Sequence, residues 1–214
     1  MAKLFDYDNP IWKIMGKVAD VFLLSLLWFL FSLPLVTVGA SSCGLYYVSL
    51  KLAENKEGYL FRTFIKGLKE GFVQSTVIWG IMAVIGGFAG TYIYRCQASG
   101  TEGALTLLWA LLIFAVFYLL IMTVVFALTA RLSTSIFNLF MMSFMVCVKH
   151  LPWVFFMAVI TICVTALGIF VFWPLLLFAP GTIAFVHAKI LIHMIFPKYN
   201  WNLDTEERKQ SWQF

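Results

Sequence analysis

Few residues in this chain could do chemistry, and their spacing argues against most of it. The histidines are His150, His187 and His193. His187 and His193 stand six apart, which turns them to different sides of a helix, so a shared metal site is not expected. With Lys189 they gather near one end of the last apolar run, where snorkelling toward the interface accounts for them. Ser41-Ser42-Cys43 offers a nucleophile by residue type, but no base lies near it in sequence. No Walker loop, GxSxG, HExxH or Ser-His-Asp pattern is present. No carboxylate pair falls inside an apolar run, and Asp20 sits beside Lys17 at the edge of one. Ionisable groups in a membrane are costly and usually functional, so their scarcity counts against an enzyme or a coupled pump. The expectation is a non-enzyme with no catalytic residue, cofactor or metal. Cys43, Cys96, Cys147 and Cys163 show no paired spacing and read as small apolar residues.

The elements that would position these residues are apolar helices. Of 214 residues, 62% are hydrophobic and 12% charged, with a mean hydropathy of +0.92. Soluble chains are about 45–50% apolar and about 25% charged. The runs Val21–Leu33, Leu105–Leu128 and Leu151–Phe172 are continuous rather than alternating, which excludes a transmembrane barrel. The fold class is therefore all-α, a polytopic helical membrane protein with about six transmembrane helices. The expected spans are residues 18–34, 37–52, 72–94, 104–129, 151–173 and 175–196, followed by a polar tail at 197–214, all in one integral membrane domain. The net charge of +5 is too small and scattered for nucleic acid, so the bilayer is the first partner.

The organising feature is the break Leu33–Ser42. Pro34 removes a backbone donor and Gly39 permits unusual conformations. In hydrocarbon such a break needs partners for the freed backbone groups, and Thr37, Ser41 and Ser42 supply hydroxyls on the spot. A second structural hinge is expected at Ala179-Pro180-Gly181, with Pro180 and Gly181 as its key residues. If the first break reverses the chain, 14 of the 15 lysines and arginines fall on one side. If it merely bends, the division is 11 against 4. The positive-inside rule favours reversal, with both termini cytoplasmic.

Two stretches on the basic side read as interfacial elbow helices. In one, Phe61, Phe64, Ile65, Leu68 and Phe72 form an apolar side opposite Arg62, Lys66 and Lys69. The other, Arg131–His150, has a wide apolar side with Phe137, Phe140, Met141, Phe144 and Met145 and a narrow polar stripe that includes Asn138. Arg62, Lys66, Lys69, Asn138, Met141 and Met145 are the candidate partner contacts. Elbow, span, span occurs twice, at 60–130 and 132–196, as a weak parallel repeat. Gly80, Gly86, Gly87 and Gly90 on the third span are expected to let helices approach closely. Trp28, Trp79, Trp109, Trp153 and Trp173 read as part of an aromatic belt.

Several short segments carry a family resemblance. They are Asn9-Pro10 with Trp12, Leu33-Pro34-Leu35-Val36-Thr37-Val38-Gly39-Ala40, Leu45-Tyr46-Tyr47, Phe61-Arg62-Thr63-Phe64, Lys69-Glu70-Gly71-Phe72 and Phe196-Pro197-Lys198-Tyr199. Together they resemble the YesL-like family of small bacterial integral membrane proteins over essentially the whole chain. The resemblance implies a bacterial cell-membrane location and a role near carbohydrate uptake or its sensing, and it brings no catalytic residues. The expected function is a non-enzymatic accessory subunit of carbohydrate import by an ATP-binding-cassette importer, or of its sensing. Its partners would be the importer's permease subunits or a sensor histidine kinase. The alternative is a small permease for a sugar or lipid. A polar cavity at mid-membrane would favour the permease, and a filled interior the accessory role.

Overall fold

The computed structural model describes residues 10–55, 58–99, 102–132, 134–170 and 173–199. Residues 200–214, most of the expected tail, lie outside the described residues, as do the side chains of Trp12, Cys96 and Trp173. The described chain is helical, without strands: α1 (Pro10–Ser32), α2 (Val38–Ala53), α3 (Leu60–Glu70), α4 (Phe72–Ser99), α5 (Glu102–Arg131), α6 (Ile136–Lys149), α7 (Leu151–Phe170) and α8 (Ala179–Ile190). Six helical stretches are long and apolar enough to cross a membrane, and the protein is a multi-pass membrane protein. The elbow, span, span order does occur twice, as α3–α4–α5 and α6–α7–α8.

The break between α1 and α2 is a full reversal. A 3-10 turn, Leu35–Thr37, joins the two helices. Ser32 meets Ser41 at 2.8 Å beside the turn, and Lys17 donates to Asn55 at 2.8 Å at the far ends of the pair. The hydroxyls serve the broken ladder. Thr37 donates to the carbonyls of Phe31 and Pro34, and Ser41 to that of Thr37 at 2.6 Å. Without water, hydroxyls elsewhere do the same: Ser75, Thr129, Ser143 and Thr165 each bond the carbonyl four residues back. The end of the bundle carrying this turn is called the hinge face below, and the opposite end the elbow face.

α2 is the hub and packs against α1, α3, α4, α5 and α8. Close approach explains its small residues. A Cβ at Gly39 would run into the Ser75 carbonyl and stand 2.7 Å from the Trp79 Cβ, so α4 can lie against α2 only if residue 39 is glycine. At the elbow face, Arg131 from the end of α5 meets Glu54, just beyond α2, at 2.6 Å. The same guanidinium lies over Phe196, 5.6 Å from its ring centre. This ties α2, α5 and the C-terminal 3-10 turn Phe196–Tyr199 together.

The close-approach expectation for the α4 glycines is corrected in part. Of the α4 glycines only Gly86 meets another helix, at the Tyr118 hydroxyl, and Gly80, Gly87 and Gly90 have open space beside them. The wide apolar side of α6 is turned outward, with Phe137, Met141, Phe144 and Met145 exposed. It is the narrower row of Leu139, Ser143, Val146 and Cys147 that packs inward. In lipid, apolar side chains have no reason to avoid the surface, so the widest apolar stripe need not mark the packed side. On α3, likewise, Phe64 and Gly67 are buried while Phe61 is exposed.

Candidate functional site

The second break builds the site. Pro174 forbids a continuous helix after α7, and the chain runs through a 3-10 turn, Trp173–Leu177, before α8 begins. Pro180 sits in the first turn of α8, where its missing N–H costs nothing. Gly181 then touches α1. A Cβ there would collide with the Val21 carbonyl and the Ser25 hydroxyl. Ser25 accepts the Gly181 N–H at 3.0 Å and donates to the carbonyl of Val21 or Phe178. Phe22 and Phe178 stack at 4.4 Å. The start of α8 is thus held well below the hinge-face end of α1, about two to three turns from Ser32 by the 3.6-residue period.

This arrangement leaves a cavity of about 940 Å³, walled by α1, α2, α5, α7, α8 and the 3-10 turn. Most of the wall is apolar, from Trp28, Leu45, Met122, Phe126, Pro174 and Ile183 among others. The polar atoms are already engaged. Trp28 donates its indole N–H to Ser42 at 3.1 Å. Thr123 donates to the Leu120 carbonyl and Thr165 to that of Thr161. At the deep end lies His187, 1% exposed. Its Nδ1 is 2.9 Å from the Tyr46 hydroxyl, and its Nε2 is 3.0 Å from the Met157 carbonyl and 3.2 Å from Thr161 Oγ1. A carbonyl can only accept, so Nε2 carries a proton; in the neutral imidazole Nδ1 then accepts from Tyr46, and both nitrogens have partners.

His187 was expected to snorkel and does not. It is a membrane-buried imidazole, and His193 is the exposed one, bonded to the Lys189 carbonyl at 2.9 Å. The signal available in sequence was weak: Tyr46 and Thr161 lie 141 and 26 residues away. Trp28 likewise lines the cavity instead of standing in a belt. Cys43 and Cys147 are buried thiols and Cys163 is exposed. No group of three or more His, Cys, Asp or Glu side chains among the described residues could hold a metal.

The hinge residues do not form one site. Ser42 and Pro180 reach the cavity wall, whereas Thr37, Gly39, Ser41 and Gly181 are spent on backbone and helix packing. Arg62, Lys66, Lys69, Asn138, Met141 and Met145 are all exposed, on α3 and α6. Beside them, His150 is buried against Tyr199. Burial first, then the Lys198 and Lys149 charges, hold its pKa below the usual 6.5.

A family described as "Protein of unknown function, DUF624" matches residues 21–91, from α1 through the hinge, α2 and α3 into α4. That family includes the YesL-like proteins. No curated protein and no solved structure matches the chain.

Proposed function

We propose that this protein is a non-enzymatic accessory subunit in a bacterial cell membrane, with both termini in the cytoplasm. It would serve carbohydrate import by an ATP-binding-cassette importer, or the sensing of that carbohydrate, by binding permease subunits or a sensor histidine kinase. The observation that carries this reading is the character of the interior. Residues 21–50, 72–94, 103–130 and 151–188 contain no Asp, Glu, Lys or Arg, and the buried imidazole has a partner within the protein at each ring nitrogen. Coupled transport favours acidic or basic side chains and a sugar path favours a polar wall; among the described residues the cavity wall has no Asp, Glu, Lys or Arg and is mostly apolar.

The placement in the membrane is supported by charge. With a hairpin at residues 33–37, the six-span topology would assign 14 of the 15 lysines and arginines in the sequence to the elbow side, the cytoplasmic side under the positive-inside rule. The link to carbohydrate is supported by the sequence resemblance. Partner binding is supported by the two elbows. α3 presents Arg62, Lys66 and Lys69 outward, and α6 presents Asn138, Met141 and Met145. Met-rich faces suit adaptable contacts.

Affinity purification from native membranes tests the reading. The intact chain should bring down importer permease or sensor kinase, and the triple charge reversal R62E/K66E/K69E should cut that recovery about tenfold, the effect of losing ~1.4 kcal/mol of binding. A chain that elutes alone while those partners are present in the same membranes defeats the proposal.

A further inference from the structure

We infer that the cavity between α1, α2, α5, α7 and α8 is a saturable site for one hydrocarbon chain of a membrane amphiphile. This goes beyond the accessory role and is independent of it: the site can exist whichever subunit the protein serves.

The inference starts from packing. Between the helices the chain's own side chains leave a cleft of about 940 Å³ that is open to the surroundings rather than sealed inside the bundle. That is the upper end of the ~300–1,000 Å³ typical of small-molecule sites. The void is built by the fold rather than left by a missing side chain. Pro174 and the 3-10 turn end α7's path, and the Gly181–Ser25 contact starts α8 below the hinge face. α8 therefore begins below the hinge-face end of α1 and leaves the space above it to the 3-10 turn.

The lining then selects the ligand class. Trp28, Ser42, Tyr46, Thr161, Thr165 and His187 have their hydrogen-bonding atoms turned to one another or to backbone carbonyls. A hydroxyl-rich ligand would lose its water and find few partners on a mostly apolar wall, whereas methylene groups lose nothing. Among the described residues no charged side chain lines the cavity, so a charged head is favoured outside it. The half-exposed Phe29, Leu119 and Leu177 stand at its rim, which opens it sideways to hydrocarbon. Its floor is shut by the Tyr46–His187 pair and by Ala184, 1% exposed. A pocket open to lipid at one end and closed at the other holds a chain rather than conducting it.

The test uses the purified full chain in nanodiscs of zwitterionic lipid and a photoreactive palmitate carrying an alkyne. Labelling should saturate near one chain per protein, be competed by unlabelled palmitate, and map to peptides holding Thr123, Thr161 or Ile183. Ala184→Phe and, separately, Thr165→Phe fill the cavity from α8 and α7. Each should reduce saturable labelling at least fivefold, while Ala83→Phe on the exposed side of α4 leaves it unchanged. Two filling variants on different helices keep the test decisive if one of them does not fold. Labelling that rises linearly with probe, spreads evenly over exposed helices, or ignores whichever filling variants fold overturns the inference. So does a photoreactive side chain at Leu177 that in cells crosslinks to a polypeptide and not to lipid, which would assign the cavity to a partner helix.

Discussion

The Glu54–Arg131 pair at the elbow face should couple three parts of the chain, and the size of that coupling can be worked out. The two groups meet at 2.6 Å, with side chains 14% and 10% exposed. Arg131 also covers Phe196 at 5.6 Å. Removing one member of a buried pair typically costs about 3–5 kcal/mol, because the other charge is left in a poor solvent. The residual exposure here lets some water reach the survivor, so about 3 kcal/mol is expected for Glu54→Gln and for Arg131→Met alike. That corresponds to roughly two powers of ten in the folding equilibrium. The double variant should lose less than the two singles together by about 2–3 kcal/mol, since each single variant already removes the whole of this pair's attraction. Equilibrium unfolding of the purified protein in mixed micelles, followed by far-ultraviolet circular dichroism, measures all four corners of the cycle. If the two losses simply add, or each is below about 0.5 kcal/mol as for an exposed pair, the pair is a surface contact and the reasoning fails.

Two further outcomes follow from packing and charge. Gly181→Ala should destabilise by about 1–3 kcal/mol, because its Cβ meets the Ser25 hydroxyl and the Val21 carbonyl. Gly87→Ala, with open space beside it, should be neutral or stabilising by up to about 1 kcal/mol from helix propensity; equal losses in thermal melts would refute the packing. For His150, the lowered pKa means the native state takes up a proton less readily than the unfolded chain. Its contribution is therefore complete above pH 6.5, the unperturbed value, and is lost as pH falls through the lowered native value. Proteolysis of the C-terminal turn should increase on acidification from pH 7.5 to 5 and flatten in His150→Gln, and an unchanged acid response in that variant would refute it.

Composition and hydropathy were enough to specify an all-helical membrane protein, because hydrocarbon forces every backbone group into internal hydrogen bonds and leaves long apolar runs no other form. The hairpin at Pro34 was also legible, because a proline, a glycine and three hydroxyls within ten residues need a common explanation and the distribution of lysine and arginine favours reversal over bending. What sequence did not reveal is which apolar side of a helix meets protein. On α6 the outward row Phe137, Met141, Phe144 and Met145 is as apolar as the buried row of Leu139, Val146 and Cys147, and Gly80, Gly87 and Gly90 look like a packing stripe yet have open space beside them. In lipid the hydrophobic effect does not separate inside from outside, so the choice falls to shape complementarity between distant segments. The cavity belongs to the same class. His187 looks like an interfacial histidine until Tyr46 and Thr161 are brought to it from 141 and 26 residues away. Only the tertiary structure, by starting α8 against Val21 and Ser25, could turn two proline breaks into a chamber.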